Sequence, residues 1–232
     1  MTRRSTSMSV RSPVDSGTVV IIIPQYNQPA LTIQAIQSLR QVDPVRWPIL
    51  VVDNGSSHES VRQLHDLCDS NVQVLSLPQA GLTSAWNAAV QHVRADHLIF
   101  LNNDTTSGGP WVESLLAPLR HGLAFVTGVA LRRESQLDPP VDLPAGWCFA
   151  VRRETFESVR GFDAALQLYF SDTDFLIRVR DYCASVTTPA WAVVAGLSIS
   201  HIAHATAHRL PHQRALWLAD RERFLIRWRE PR

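Results

Sequence analysis

Along the first hundred residues, hydrophobic and polar positions switch between two rhythms. Short runs rich in β-branched residues, such as Val19-Val20-Ile21-Ile22-Ile23 and Ile49-Leu50-Val51-Val52, alternate with longer segments whose apolar residues return at helical spacing. The runs predict strands near residues 18–23, 48–52, 72–77 and 97–101, and the segments between them predict helices near 29–41, 57–69 and 82–94. In the first helix Leu31, Ala35, Ile36 and Leu39 make the apolar face, and Asn54 or Ser56 stands where the second helix needs a cap. Strand and helix in regular alternation describe successive βαβ units on a parallel sheet, so the expected class is α/β.

Beyond residue 110 the alternation weakens. A helix is expected from Trp111, a strand near 123–128, and a loop over the Pro-rich stretch Asp138-Pro139-Pro140-Val141-Asp142-Leu143-Pro144. An apolar run from Gly146 to Val151, a short helix near 153–159, a helix over about 172–182 and a strand near 190–194 follow. The closing helix, near 212–229, carries Leu216, Leu218, Phe224, Leu225 and Trp228 among arginines.

Three of the apolar runs discharge polar groups at their carboxyl ends. Val19–Ile23 leads into Pro24-Gln25-Tyr26-Asn27, Ile49–Val52 into Asp53-Asn54-Gly55-Ser56, and His97–Leu101 into Asn102-Asn103-Asp104. Parallel sheets bind ligands in the crevice beyond those ends, so the three loops should open onto one edge. Carboxylates gathered there without a cation would be costly to bury, which points to a metal or phosphate site.

Composition removes several function classes. With a formal net charge of +1 the chain has no field for attracting nucleic acid, and no nucleic-acid partner is expected. All 22 basic residues are arginine, so neither a phosphate-loop lysine nor a Schiff base is available. Its three cysteines, Cys68, Cys148 and Cys183, lack C-x-x-C spacing, which argues against a disulfide framework or thiolate zinc site and for a reducing compartment. Residues 1–17 lack the apolar stretch of a signal peptide, and no run reaches the roughly 18 apolar residues of a membrane span. A cytoplasmic protein with a flexible N-terminal tail is expected, and Trp217, Trp228 and the arginines near them would allow peripheral contact with the inner face of a membrane.

The motifs P-x-Y-N, VVDNGS, AGLTSAWN, LNND and SDTDFLIR, followed by His201, occur in an order that resembles the family 2 glycosyltransferases over about residues 18–205. The resemblance implies a GT-A fold, a nucleotide-diphosphate sugar donor (UDP-, GDP- or dTDP-linked), a divalent cation (Mn²⁺ or Mg²⁺), and transfer with inversion to a saccharide or lipid-linked acceptor. The length and apolar content fit one domain over residues 18–232, which in the terms of that family has a nucleotide-binding half at 18–109 and an acceptor-side half at 110–232. Asp104 becomes the metal ligand, and Asn102, which replaces an acid of the family's D-x-D motif, a ribose or metal-water contact. His201 completes the metal or diphosphate site, and an imidazole there favours Mn²⁺. Asp53 is assigned to the base or ribose in a pocket shaped by Pro24, Tyr26 and Asn27, while Asn54, Asn87 and Asn103 join the donor site. Asp172 is the general base, with Asp174 second; Ser171 stands where the family usually carries an acid.

Each assignment has a structural alternative. Asn102–Asp104 would also close a strand as an Asx-rich turn, and Asp53 would also cap Gly55 and Ser56. Asn87 would serve equally as an exposed helical amide. Ser171, Asp172 and Asp174 would favour a helix N-terminus whatever the function. His204, His208 and His212 fit a solvated helical face better than a zinc site. Trp147 is a candidate for an acceptor pocket, and Arg132 or Arg133 for phosphate oxygens. Two rival functions remain at this level, a non-catalytic sugar-nucleotide-binding scaffold and a nucleotidyltransferase.

Overall fold

The structure, a computed structural model, describes residues 19–79, 81–202 and 212–228. Its first half follows the expected alternation: β1 (Val19–Gln25), α1 (Pro29–Val42), β2 (Ile49–Asn54), α2 (His58–His65), β3 (Val72–Leu77), α3 (Leu82–His92) and β4 (His97–Leu101). Pro29 opens α1, where its missing N–H has no role to lose. Ser57, not Asn54 or Ser56, caps α2 by accepting from the Ser60 amide.

The second half is built from shorter pieces. These are β5 (Thr105–Ser107), α4 (Val112–Arg120), β6 (Phe125–Thr127), β7 (Leu131–Glu134), β8 (Val141–Pro144), β9 (Cys148–Arg152) and α5 (Arg153–Ser158). After them come α6 (Ser171–Ser185), β10 (Trp191–Val193), β11 (Ile199–His201) and α7 (Gln213–Trp228). The Pro-rich stretch expected as a loop is in its latter part strand β8, hydrogen-bonded antiparallel to β7. A proline is tolerated there because the pair forms a separate two-stranded ribbon whose strands are all edge.

Among the described residues, seven strands form one sheet in the order β10-β6-β9-β4-β1-β2-β3. Strands β1 to β4 are mutually parallel, β9 runs antiparallel to both β4 and β6, and β10 is parallel to β6. Strands of both halves thus share a single hydrogen-bonded core. The chain winds outward from β1 to β2 and β3, then returns to the other side of β1 as β4, so the carboxyl ends of β1 and β4 flank a topological switch point.

Both faces of the sheet are covered, which is why its central strands read as unbroken apolar runs. Val20 and Ile22 of β1 pack on the side of α3, α5, α6 and α7, around Trp86, Phe100, Phe149, Phe156, Phe162 and Phe175. Val19, Ile21 and Ile23 face the other way, onto Ile36 and Leu39 of α1, Leu64 of α2 and Leu115 and Leu116 of α4. Among the described residues no helix is long and apolar enough to cross a membrane.

Candidate functional site

A cavity of about 1120 Å³ opens beyond the carboxyl ends of the parallel strands. It exceeds the roughly 300–1000 Å³ of ordinary small-molecule pockets. Pro24, Tyr26, Asn54, Asn102, Asn103, Asp104, His201 and Asp172 all line it, so eight of the twelve residues to which the resemblance gives roles meet there.

At one end stands Asp104, just past β4. Strand β11 pairs antiparallel with β5 and places His201 opposite Thr105, the residue after Asp104. That pairing spans almost a hundred residues of chain and brings Nε2 of His201 to 2.9 Å from Oδ1 of Asp104. The same nitrogen lies 3.4 Å from Nδ2 of Asn102. Trp147 stacks on the imidazole, with ring centroids 4.8 Å apart and planes 13° apart, and its carbonyl accepts from the Asn102 amide at 2.8 Å. Trp147, the candidate for an acceptor pocket, lines this cavity and in the same position braces the histidine. Among the described residues no cluster of three or more His, Cys, Asp and Glu side chains assembles. One carboxylate and one imidazole facing an open cavity suit a divalent ion that completes its shell with oxygens from a ligand and water.

At the other end, α6 begins after Phe170, whose φ of 58° lies in the left-handed region. Asp172 in the first turn faces the cavity with its side chain 22% exposed. Its Oδ2 accepts from the Gly146 amide at 2.9 Å and from the Arg132 guanidinium at 3.2 Å, and its Oδ1 accepts from the Thr173 amide at 2.9 Å. A carboxylate offers about four acceptor positions, so these three donors hold it without filling it. Arg132 also donates to Thr173 Oγ1 and thus serves this end, while Arg133 pairs with Asp142 within the β7–β8 ribbon.

Gly146 is tied to this arrangement by space. A β-carbon there would lie 2.3 Å from Cβ and 2.8 Å from Oδ2 of Asp172. Gly146→Ala is expected to displace the carboxylate or its loop and to cost about 1–3 kcal/mol of stability; thermal unfolding checks this, and an unchanged melting temperature contradicts it.

Four residues assigned by resemblance do not line the cavity. Asp53 is buried beneath it and accepts from Gln25 Nε2 at 3.1 Å and from the Ser56 amide at 3.3 Å, the turn-closing alternative. Asn27, at a φ of 49°, accepts from the Ser57 amide at 2.9 Å and so ties the first loop to the second. Asn87 clamps Phe162 on both sides, donating to its carbonyl at 2.8 Å and accepting from its amide at 2.9 Å. Asp174, the second candidate for the base, is 0% exposed. It accepts from Arg178 Nε at 2.9 Å and Trp228 Nε1 at 3.0 Å. A carboxylate sealed among such donors has no route to a substrate hydroxyl. Of the other histidines, His204 and His208 lie outside the described residues, while His212 lines the cavity ahead of α7.

Other residues of the site carry no motif of their own. Gln25 lines the cavity and bridges Asp53 and Ser56, and Gly55, behind the lining at a φ of 78°, lets that loop approach the Gln79 amide where a β-carbon would be 2.5 Å away. Leu216, Ala219 and Arg223 of α7 line the wall near Tyr169 and Phe170. Their helical spacing is the only signal in the sequence, and it reads the same as a core stripe. Cys148 in β9 is no nucleophile, since burial pushes its thiol up to about 12.

The family model described as glycosyl transferase family 2 matches residues 20–173. A UDP-Glc:α-D-GlcNAc-diphosphoundecaprenol β-1,3-glucosyltransferase of Escherichia coli is 26% identical over 121 residues, which is 50% of this chain and 46% of that protein. The chain spans under half the length of the curated relatives it matches. Among solved structures, the mannosyltransferase from Pyrobaculum calidifontis in complex with GDP-Man and Mn²⁺ superposes with a TM-score of 0.65 at 15% identity, over 95% of this chain and 67% of that one. Glucosyl-3-phosphoglycerate synthase from Mycobacterium tuberculosis, in complex with Mn²⁺, UDP and glucosyl-3-phosphoglycerate, gives a TM-score of 0.66 at 19% identity, over 93% and 81%. These likenesses show a GT-A fold.

Proposed function

Since this chain belongs to glycosyl transferase family 2, we propose that it transfers a sugar, with inversion, from a nucleotide-diphosphate donor to a hydroxyl acceptor with the help of a divalent cation. The observation that carries this reading is the placement of the Asp104–His201 pair and of Asp172 along one cavity large enough for two substrates.

In this reading the nucleotide lies against Pro24, Tyr26 and Asn54, with its diphosphate toward Asp104 and His201. Those two residues would hold the cation, which would supply positive charge against the negative charge on the leaving diphosphate. A sugar hydroxyl is a poor nucleophile at neutral pH, and Asp172 takes its proton as the new bond forms. The acceptor oxygen then bonds to the anomeric carbon, the bond from that carbon to the diphosphate oxygen breaks, and its electron pair leaves with the nucleoside diphosphate. Arg132 and the Gly146 and Thr173 amides keep the carboxylate aimed during the transfer.

The acceptor belongs on the side of Asp172, where Phe170, Leu216 and Trp217 supply an apolar and aromatic wall with Arg223 beside it. That wall suits the face of a sugar ring. A saccharide or lipid-linked saccharide fits, in keeping with the diphosphoundecaprenol acceptor named for the Escherichia coli relative.

Titration calorimetry with UDP, GDP and dTDP, each with and without Mn²⁺, tests the donor end. One nucleotide is expected to bind at least about tenfold more tightly with the metal, because the carboxylate and imidazole leave most of the ion's shell to the diphosphate. Equal affinity with and without Mn²⁺ for all three would remove the metal from the reading. Nucleotide binding with no sugar transfer to any saccharide acceptor would leave a binding protein of the same fold.

A further inference from the structure

We propose that Asp220 is a positioning residue for the transfer: from α7 it fixes the backbone of residues 167–169 and through it the place of Asp172. This rests on the reading of Asp172 as the base.

Asp220 is 0% exposed and lies outside the cavity lining, yet three consecutive backbone amides point at its carboxylate. Gln167 donates to Oδ1 at 3.1 Å, and Leu168 and Tyr169 donate to Oδ2 at 3.0 and 2.9 Å. Arg223, one turn on, stands 3.3 Å from Oδ1 and balances the charge. The gripped segment runs straight into Phe170, which holds the left-handed conformation that a β-carbon disfavours. Such a residue persists only where its surroundings over-determine it. Here α7 does so twice, since Asp220 fixes the preceding amides and Phe224 stacks on the Phe170 ring with centroids 5.1 Å apart and planes 19° apart. Ser171 Oγ closes the turn by donating to the Leu168 carbonyl at 2.9 Å. Two residues beyond Phe170 comes Asp172.

Docking α7 does not by itself require this carboxylate. Phe224 and Leu225 already bury the helix's apolar side, and Trp228 Nε1 ties its far end to Asp174. Asp220 is distinguished by what it grips, a stretch of backbone within reach of the base. The same helix presents Leu216, Trp217 and Arg223 to the cavity, so acceptor wall and base loop are anchored on one rigid element.

The test compares Asp220→Asn, Asp172→Asn and Trp228→Phe with the wild type in the full chain. The first readout is the backbone amide proton shift of Gly146, which reports its hydrogen bond to Asp172 and needs no substrate. The second is release of nucleoside diphosphate from UDP-glucose, GDP-mannose or dTDP-glucose with Mn²⁺, analysed as separate kcat and KM. Asp220→Asn should move the Gly146 proton toward its position in Asp172→Asn and lower kcat by about a hundredfold, with donor KM within about twofold. Trp228→Phe, which loosens the same helix elsewhere, should leave the Gly146 proton in place. A Gly146 proton unmoved in Asp220→Asn, or moved equally in Trp228→Phe, overturns the proposal. If Asp220→Asn does not fold, Asp220→Glu, which keeps the charge but pushes the loop by one methylene, must still move the proton. Should Asp172→Asn keep the wild-type kcat, the reading of the base fails instead, and the two failures are told apart.

Discussion

Asp172→Asn is expected to lower sugar transfer by about 10²–10⁴-fold, the range over which a positioned general base contributes. Asparagine keeps the shape of the side chain and one acceptor oxygen, so it retains part of the contact to the Gly146 amide and loses the capacity to take a proton. Nucleotide affinity should hold, because Pro24, Tyr26, Asn54 and Asp104 belong to the other end of the cavity. Asp174→Asn is the informative companion. That side chain is sealed between Arg178 and Trp228, so its replacement should lower the melting temperature while the folded fraction keeps its kcat. Steady-state kinetics beside thermal unfolding separates the two. An Asp172→Asn enzyme with wild-type kcat, or an Asp174→Asn enzyme that folds normally and is dead, would exchange their roles.

Asp104→Asn is the second large effect. The substitution removes the carboxylate that pairs with His201 at the β4 end and leaves a neutral amide to compete for a divalent ion. Lewis-acid stabilisation of a leaving phosphate is worth several kcal/mol, which at about 1.4 kcal/mol per decade corresponds to two or three decades in turnover. Mn²⁺-dependent tightening of nucleotide binding should disappear in the same variant. His201→Ala should do less, since an imidazole brings a lone pair and the carboxylate brings charge. Calorimetry of the nucleotide with and without Mn²⁺ measures both. Full metal dependence in Asp104→Asn would place the ion elsewhere.

Much of the fold was legible in the sequence because hydrophobic periodicity is local. The first four strands and three helices appear within a few residues of where their runs and spacings put them. Short elements escaped: β5, β7 and β11 are three or four residues long and owe their existence to partners across the chain. The equally short β6 and β10 were legible because they lie inside longer apolar runs, which β5, β7 and β11 lack.

Site residues divided along a similar line. Asp104, Asn102, His201 and Asp172 sit on the cavity, at strand ends or a helix start where a motif also marks a direction. Asp53, Asn27, Asn87 and Asp174 come from the same motifs, but their polar atoms bond to neighbouring protein groups and tie loops and helices together. Residue type announces a hydrogen-bonding need, and only the neighbours decide whether protein or ligand meets it.

By itself, then, the chain's order of apolar and polar residues determined a parallel sheet whose strands end in amides and carboxylates, since that pattern is set within each segment. The tertiary structure alone decided that β11 would carry His201 to Asp104, that Trp147 would brace the imidazole, and that α7 would grip the loop before Asp172. Each of these contacts joins residues some fifty to a hundred positions apart. Such pairings depend on how faces and edges fit after collapse, and no local rule of spacing encodes them.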